Sequence, residues 1–245
     1  TAPKRMLLRA IGPALRRFYV AQPAKNPRLL VHRGSELIAA NDDWYRQLNT
    51  VALVTAQRAA GAYPLSVDEG DAAVVTTLAP GSYTVQYLTD NPESDTIGLI
   101  EAYDLDPGYP ASRLTNLSSR MFVGAGEQTA IPGLVVSGSG TKNYLVRAIG
   151  PGLTKFGVEG VLSDPRITLI AGGGSSATFS NDDWETAPSR IALVQAAERA
   201  GAFAPETGSK DAALLVNLRA GSYTALVSGA GNASGTALIE IYEIP

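Results

Sequence analysis

The chain has 245 residues, a formal net charge of −3 at pH 7 and no cysteine. This charge balance gives no basic surface for nucleic acid or anionic lipid, and the lack of cysteine excludes disulfides, thiolate catalysis and cysteine-ligated metals. No apolar run reaches the roughly 18 residues that a membrane span needs. The opening residues lack the pattern of a secretory leader, so we expect the chain to start at a processed end or inside a larger precursor.

The sequence contains the same domain twice, at an offset of 138 to 140 residues. Such an offset indicates a duplicated domain rather than a short solenoid repeat. Proline and glycine within residues 104–110 favour a short, stiff connector. We therefore predict a first domain at 1–106, a linker at 107–110 and a second domain at 111–245. The matched segments are 4–13 with 142–151, 41–44 with 181–184, 81–84 with 221–224, and 99–101 with 238–240.

Short runs of β-branched and apolar residues, separated by glycine and proline, dominate both copies. Several runs alternate in polarity, as strands with one buried face do. The pattern predicts an all-β protein with two tandem antiparallel β-sandwich domains, jelly-roll-like in arrangement. In the second copy the predicted strands are 120–123, 131–137, 143–149, 166–171, 177–180, 212–218, 222–228 and 237–242.

One alanine-rich segment in each copy breaks the β pattern. In the second copy this segment places Ile191, Val194 and Ala197 on one helical stripe. Gly201 suits the position just after a helix end. We predict one short helix in each domain, lying across an open end of the sandwich.

An apolar stretch at residues 113–138, which we call the head segment, precedes the second copy and has no counterpart before Lys4. Its apolar residues are sufficient for two strands. The first domain is therefore predicted to lack its opening strands and to leave a groove and an unpaired strand edge, which is a template for strand addition. The head residues assigned to assembly are Met121, Val123, Ile131, Leu134 and Val136.

The Asn-Asp-Asp-Trp motif is the most specific polar feature of the repeat. Its oxygen-bearing side chains could contribute to a calcium site, although adjacent side chains rarely converge on one ion. Asn and Asp also form strand-end turns by bonding their own backbone, while Trp covers the core. Both interpretations stay open, and calcium is the only cofactor that the sequence suggests. The motif residues are Asn41, Asp42 and Asp43 in the first copy and Asn181, Asp182 and Asp183 in the second.

Two arginines, Arg9 and Arg147, lie inside otherwise apolar predicted strands. A buried arginine needs a carboxylate or carbonyl partner, because an unpaired buried charge is very costly. Matching glutamates lie in equally apolar strands, so we predict the structural pairs Arg9–Glu101 and Arg147–Glu240. A clamp for a substrate carboxylate is the functional alternative. The alternative partners within the chain are Asp71 and Asp211.

The sequence predicts no catalytic site. His32, the only histidine, aligns with the glycine-rich stretch of the second copy, so it is not part of the repeated design. The chain has no nucleophile elbow, phosphate loop or His-rich metal motif. A glycosidase needs two converging carboxylates, and adjacent aspartates such as Asp42 and Asp43 would point to opposite sides of a strand.

Five stretches of the second copy occur together: 113–118 with 122–124, 145–151, 181–184, 220–224 and 238–242. In this combination the chain resembles tandem β-sandwich repeats of large secreted or surface proteins of environmental bacteria, notably Verrucomicrobia and Planctomycetes. More distantly it is similar to the bacterial pre-peptidase C-terminal domain, a small module appended to exported enzymes. Both resemblances imply extracellular support, adhesion or binding.

We expect an extracellular or cell-surface structural protein that assembles with copies of itself into a filament or surface layer. Strand complementation would close the first domain, with residues 111–138 or an end of the chain as the donor. The competing interpretation is that the first copy's own head lies upstream of Thr1. The functional alternative is a carbohydrate-binding or adhesive module of a larger secreted protein, calcium-dependent or not, with surface polysaccharide as its partner. An enzyme, a nucleic-acid partner and a membrane span are not expected.

Overall fold

The computed structural model describes residues 2–90, 96–106, 108, 112–172 and 178–245. They form two compact units, Thr1–Leu114 and Thr115–Pro245, built from antiparallel strand ladders with one α-helix each. The predicted all-β sandwich class is confirmed. Of the predicted linker at 107–110, only Gly108 lies within the described residues, and the linker stays a prediction.

Within the described residues, the strands and helix of the first domain are β1 Lys4–Ile11, β2 Arg28–Arg33, β3 Glu36–Asn41, α1 Thr50–Ala59, β4 Ala72–Leu78, β5 Thr84–Leu88 and β6 Leu99–Asp104. They form two three-stranded sheets, with the orders β4-β1-β6 and β3-β2-β5. Strands alternate their side chains between two faces. The inward side chains of both sheets, among them Leu8, Leu29 and Val74, form one buried core.

In the second domain the elements are β7 Asn116–Val123, β8 Gly133–Ile149, β9 Pro165–Ala171, β10 Thr178–Asn181, α2 Arg190–Ala200, β11 Ala212–Gly229 and β12 Gly235–Ile244. The strand order is β10-β9-β11-β8-β12-β7. Strands β8 and β11 pair with each other twice, on either side of a register shift between Arg219 and Gly221. The sheet therefore folds into two layers that share these two strands. Residue 177, predicted as the start of the β10 strand, lies outside the described residues.

Two long strands replace four predicted short ones, because 143–149 and all but the first two residues of 131–137 fall within β8, and 212–218 and 222–228 fall within β11. The predicted breaks contain Gly138, Gly140 and Gly221, whose φ angles are +98°, +81° and +154°. Glycine adopts positive φ without steric cost. The chain can therefore bend between the layers at these glycines without leaving the ladder.

The head segment supplies one strand to each layer of the second domain. Strand β7 pairs with β12, and the start of β8 pairs with the second half of β11. In the first domain the equivalent strands are β6 and β5, and among the described residues each pairs on one side only, with β1 and β2 respectively. Each layer of the second domain thus has four strands, where the described part of the first has three.

Helix α2 covers the outer face of a sheet. Its residue Leu193 packs with Leu145 of β8, with Trp184 and with Ala213 of β11. Leu145 and its neighbour Val146 are both fully buried, on opposite faces of β8. Because β8 is apolar on both faces, its outer face needs a cover. The prediction that the helix lies across an open end of the sandwich is therefore wrong.

The buried stripe of α2 differs from the predicted one. Leu193, Ala196 and Ala197 are buried, whereas Ile191 is 72% exposed. The predicted stripe is thus wrong at Ile191. The helix ends as predicted, since Gly201 adopts a φ of +69° just after it.

Candidate assembly site

The head segment completes the core of the second domain. Val123 and Val136 are 0% and 4% exposed, and Met121 and Leu134 are partly buried against the same cluster. These four side chains alternate along two strands, so they enter the space between the layers from both. Four of the five residues assigned to assembly therefore contact the sandwich core.

Ile131 is the fifth, and it is 60% exposed. Its neighbour Ala130 is buried and takes the inward position. Neighbours on an extended chain point to opposite faces. The prediction that Ile131 supplies core surface is therefore wrong.

Backbone hydrogen bonds tie the head segment to the outer edge of β11. The Ala130 amide donates to the Val227 carbonyl at 3.1 Å, and the Val227 amide donates back at 2.9 Å. The Ala225 amide donates to the Pro132 carbonyl at 2.9 Å. In added strands such backbone bonds supply affinity, and the inward side chains supply specificity.

The first domain presents the same two edges, and no described strand covers them. Ile100 on β6 is 40% exposed, whereas its equivalent Ile239 is 2% exposed beside β7. Leu78 is only partly buried, whereas its equivalent Leu218 is 2% exposed. We call this surface, formed by the free edges of β5 and β6, the acceptor site.

The turn before β5 has the same backbone conformation as the equivalent segment of the second domain, which pairs with the head segment. Gly81 and Gly221 have φ angles of +156° and +154°. The hydroxyl of Tyr83 donates to the Ala79 carbonyl at 2.8 Å, and that of Tyr223 donates to the Arg219 carbonyl at 3.0 Å. One side of the acceptor site is therefore already in place.

Two residues at the floor of the acceptor site differ from their equivalents in the second domain, one by a smaller and one by a larger side chain. Gly98 and Tyr87 replace Ala237 and Val227 of the second domain. A Cβ atom on Gly98 would lie 2.3 Å from Cζ of Tyr87, so only glycine leaves room for the ring. Burial raises the pKa of Tyr87, whose hydroxyl donates to the Ile11 carbonyl at 3.2 Å. Sequence reasoning missed this pair, although comparing the copies position by position reveals both changes.

In the second domain the predicted arginine–glutamate pair is closely coordinated. Nε and Nη2 of Arg147 both donate to Oε2 of Glu240, Nε at 2.9 Å, and Nη1 donates to the Phe203 carbonyl at 2.6 Å. The hydroxyl of Tyr242 donates to Oε1 of Glu240 at 2.6 Å. Burial and this bond raise the pKa of Tyr242. Ser118 of β7 lies opposite Glu240, so the head segment also shields the ion pair.

The equivalent pair of the first domain is looser. Nε of Arg9 lies 2.9 Å from Oε2 of Glu101, but the two are not aligned as a hydrogen bond, and Nη2 has no acceptor among the described residues. Nη1 donates to the Tyr63 carbonyl at 2.8 Å and to Gln57 at 3.4 Å. The Glu101 side chain is 16% exposed, against 6% for Glu240. Both arginines are 0% exposed, which leaves no open guanidinium for a substrate carboxylate.

Asp71 and Asp211 do not pair with the arginines. Oδ1 of Asp71 accepts the Gly12 amide at 2.8 Å, and Oδ1 of Asp211 accepts the Gly150 amide at 2.8 Å. These buried carboxylates hold the turns that follow β1 and β8. A carboxylate that accepts backbone amides at a turn has a structural role.

The two aspartates differ at Oδ2, which in Asp211 also accepts the Gly152 amide at 3.2 Å. The Ser209 hydroxyl donates to Oδ2 of Asp211, whereas Oδ2 of Asp71 has no partner in the described part of the chain. The residue at the equivalent position in the first domain is Glu69, which cannot donate in this way when ionised. Burial raises the pKa of Asp71.

The Asn-Asp-Asp-Trp motifs form strand-end turns. Nδ2 of Asn41 donates to the Asp43 carbonyl at 3.0 Å, and Oδ1 accepts the Ala73 amide at 2.9 Å. Asn181 makes the same two bonds in the second domain. Trp44 and Trp184 are each 4% exposed, so they cover the core beneath the turns.

The motif carboxylates make ion pairs with neighbouring cations. Among the residues with described positions, no three acidic or histidine side chains lie close enough to hold a metal ion. The calcium site stays a prediction. The pairs are Asp43–Arg46 at 3.2 Å, Asp182–Arg166 at 3.1 Å and Asp183–Lys210 at 2.9 Å.

His32 lies in β2, and its equivalent in the second domain lies in β9, before the glycine-rich stretch and not within it. His32 pairs with Thr84 of β5 as Ile170 pairs with Thr224 of β11. His32 is therefore equivalent to Ile170, and its predicted alignment is wrong. It still has no counterpart among ionisable groups of the second copy.

Comparisons with known proteins give only weak likenesses. No protein-family profile and no curated protein matches the chain. A solved structure of the pre-peptidase C-terminal domain of a collagenase from Bacillus anthracis is similar at 12% identity, over 52% of this chain and 89% of that one, with a TM-score of 0.32. The VP2 subviral particle of infectious bursal disease virus is similar at 11% identity, over 99% of this chain and 58% of that one, with a TM-score of 0.20. At these scores neither likeness carries a functional argument.

Within the described residues, no helix has the length and apolar character that crossing a membrane requires.

Proposed function

We propose that this chain is an extracellular structural protein that assembles with copies of itself, as a filament or a surface layer, through strand addition to the first domain. The observation that carries the proposal is the exposure of Ile100, which is 40% exposed on the free edge of β6. The equivalent strand of the second domain, β12, is paired with β7. Strand addition satisfies the free backbone groups of an edge and buries apolar side chains in the same step. A contact between two different surfaces need not close into a ring, so it can extend along an assembly.

The proposal also holds that the protein is extracellular and that it is not an enzyme. It further assigns the chain to the Verrucomicrobia and Planctomycetes type of surface repeat. The duplicated polar residues support it, because internal contacts engage them. The Arg147–Glu240 pair is buried, and the Asn181 side chain donates a hydrogen bond to the backbone of its own turn. Residues used in this way support a fold rather than a reaction.

Chromatography with light scattering and electron microscopy, over a series of chain concentrations, tests the proposal. We expect polymers whose mean size grows with concentration. Ile100→Lys places a charge on the acceptor site and should abolish them. Ile191→Lys is the matched control, because Ile191 is 72% exposed on α2, and it should leave assembly unchanged. A chain that stays monomeric at every concentration would overturn self-assembly.

A carbohydrate-binding or adhesive module is the second candidate, and a cavity in the first domain favours it. The cavity measures about 410 Å³ and is lined by Trp44, Tyr45, Val54 and Arg58, among others. Aromatic walls with a few polar groups are typical of small-ligand sites. Calorimetric titration with polysaccharide fragments, with and without calcium, tests it. Heat that disappears in Tyr45→Ala would support a sugar site, and heat that depends on calcium and disappears in Asp182→Ala would support a metal.

A further inference from the structure

We propose that the acceptor site takes the head segment, residues 113–138, of a second copy of this chain as a pair of strands, in the register of the second domain. This inference rests on the proposed function, because it names the strands that the open edges accept. The second domain supplies the template, since the same chain shows there which segment covers these edges.

The register on β6 follows from the ladder between β7 and β12. In the second domain Met121 lies opposite Ala237, and Ser119 lies opposite Ile239. Gly98 and Ile100 are the equivalents of Ala237 and Ile239. The donor's Met121 therefore lies beside Gly98, and its Ser119 lies beside Ile100.

The register on β5 follows from the ladder between β8 and β11. Leu134 lies opposite Tyr223, and Val136 lies opposite Gly221. Their equivalents are Tyr83 and Gly81, which already have the backbone and hydroxyl contact of the second domain. The donor's Leu134 therefore packs on Tyr83 without rearrangement of the turn.

A paired donor fits this site better than a single strand. The two open edges belong to different layers of one sandwich, and Val123 and Val136 of the head enter one common core. A single strand covers one edge and leaves the other open. The segment between β7 and β8 joins both strands, so binding of one holds the other at high effective concentration.

The floor of the acceptor site suits the donor's methionine. The Tyr87 ring fills the space beside Gly98, and a bulkier residue at position 98 would exclude the ring. Methionine is flexible and makes favourable sulfur–aromatic contacts. The site thus keeps an apolar floor although its own residues differ from those of the second domain.

A donor from a second copy is compatible with head-to-tail assembly. The 245 residues contain one head segment and two sandwich bodies. A head that leaves its own domain opens one site as it closes another, so the exchange repeats from copy to copy along the assembly.

Titration of the full chain with a synthetic peptide of residues 113–140 tests the inference. We expect saturation at one peptide per chain, and slower amide exchange in β5 and β6 without change in β11 and β12. A Val123→Asp peptide should bind at least about 100-fold more weakly, because it buries a charge. An Ile131→Asp peptide is the control, and it should bind as the parent does, because Ile131 is 60% exposed in the bound head.

Disulfide trapping tests the register, and the absence of native cysteine keeps the experiment free of background. Ile100→Cys in the chain should cross-link to a Ser119→Cys peptide, because directly opposed residues on paired strands bring their Cβ atoms within reach of a disulfide. A Ser118→Cys peptide should not cross-link, since a shift of one residue turns the side chain to the other face. Equal cross-linking of both peptides would overturn the register.

The outcomes separate this inference from the proposed function. Polymers of the chain without peptide binding would overturn the head-type donor and leave self-assembly intact. Peptide binding to a chain that remains monomeric would support the donor and overturn self-assembly. Protection of β12 instead of β6 would mean that the peptide replaces the resident head, and would overturn the inference.

Discussion

The two domains have the same arrangement of strands and helix, and in the described part of the chain a head segment covers the second one alone. The difference teaches that the head does more than add two strands. In the second domain it buries Ile239, and its Ser118 lies over the Glu240 ion pair. In the first domain the corresponding isoleucine and glutamate are both more exposed. Core burial and charge burial thus change together at the same edge.

Residues around Arg9, near this edge of the first domain, differ from their equivalents in the second domain. Gln57 and Tyr63 stand where the second domain has Ala197 and Phe203, and both contact Arg9. Burial raises the pKa of Tyr63 to about 12. Oε1 of Gln57 is an acceptor that Ala197 lacks, whereas the Tyr63 carbonyl is matched by that of Phe203.

Removal of the buried arginine should give the largest difference between the domains. Arg147→Met leaves Glu240 uncompensated, so we expect the free energy of unfolding of the second domain to fall by about 3–5 kcal/mol. Arg9→Met should cost the first domain less, about 1–3 kcal/mol, because solvent reaches Glu101. Urea unfolding with amide exchange read separately for each domain measures both. Arg166→Met, which removes a surface pair, should cost under about 1 kcal/mol, and equal losses for the two buried arginines would contradict the comparison.

Trimming the head tests how much it stabilises the second domain. Val123→Ala removes fully buried methyl groups, and we expect a loss of about 2 kcal/mol in the free energy of unfolding. Ile131→Ala on the same segment should change it by less than about 0.5 kcal/mol, since the side chain is mainly exposed. Thermal unfolding of the two variants provides the measurement. A similar loss at both positions would mean that the head contributes by covering surface in general and not by filling the core.

Supplying the missing donor beside Asp71 should give a smaller effect. Glu69→Ser places a hydroxyl where Ser209 stands in the second domain, and a new hydrogen bond to the free Oδ2 should stabilise the first domain by about 1 kcal/mol. The loss of the exposed Arg17–Glu69 pair at 3.3 Å offsets little of this gain. Melting of the first domain, followed by amide exchange, provides the measurement. No gain would show that water already satisfies the carboxylate.

The same aspartate should make the first domain sensitive to pH. Burial raises the pKa of Asp71 in the folded state above its unfolded value of about 3.9. Its contribution to stability is therefore fully present below that value and is lost as the pH rises through the folded pKa. Relative to wild type, Asp71→Asn should gain stability as the pH increases from about 4 towards neutrality. A constant difference between the two proteins over this range would contradict the shift.

Much of this fold follows from the duplication in the sequence. Matching the copies locates the Arg147–Glu240 pair, and residue types alone predict it, because an apolar strand with one arginine needs one carboxylate. The surplus of residues 113–138 likewise predicts two extra strands. These predictions succeed because each follows from the residue types of a short segment, such as a buried charge that needs a partner.

Other features depend on tertiary packing that a periodicity does not encode. Ile191 is more apolar than Ala196, yet Ala196 is buried because it shares the sheet-facing side of α2 with Leu193. Gly138 normally indicates a strand end, but here it bends β8 within its ladder. The position of Ile131 depends on Ala130, which pairs with β11 far away in sequence. Each outcome is decided by a neighbour that the local sequence does not reveal.

The pairing of β7 with β12 has a consequence for the order of folding. It joins the first strand of the second domain to the last, and β12 also pairs with the C-terminal half of β8. Contacts between segments so distant in sequence form late and slowly. Until β12 is in place, β7 has no edge to pair with in its own domain. Removal of β12 by a proteolytic cut before residue 235 would recreate this condition and leave β7 able to pair elsewhere.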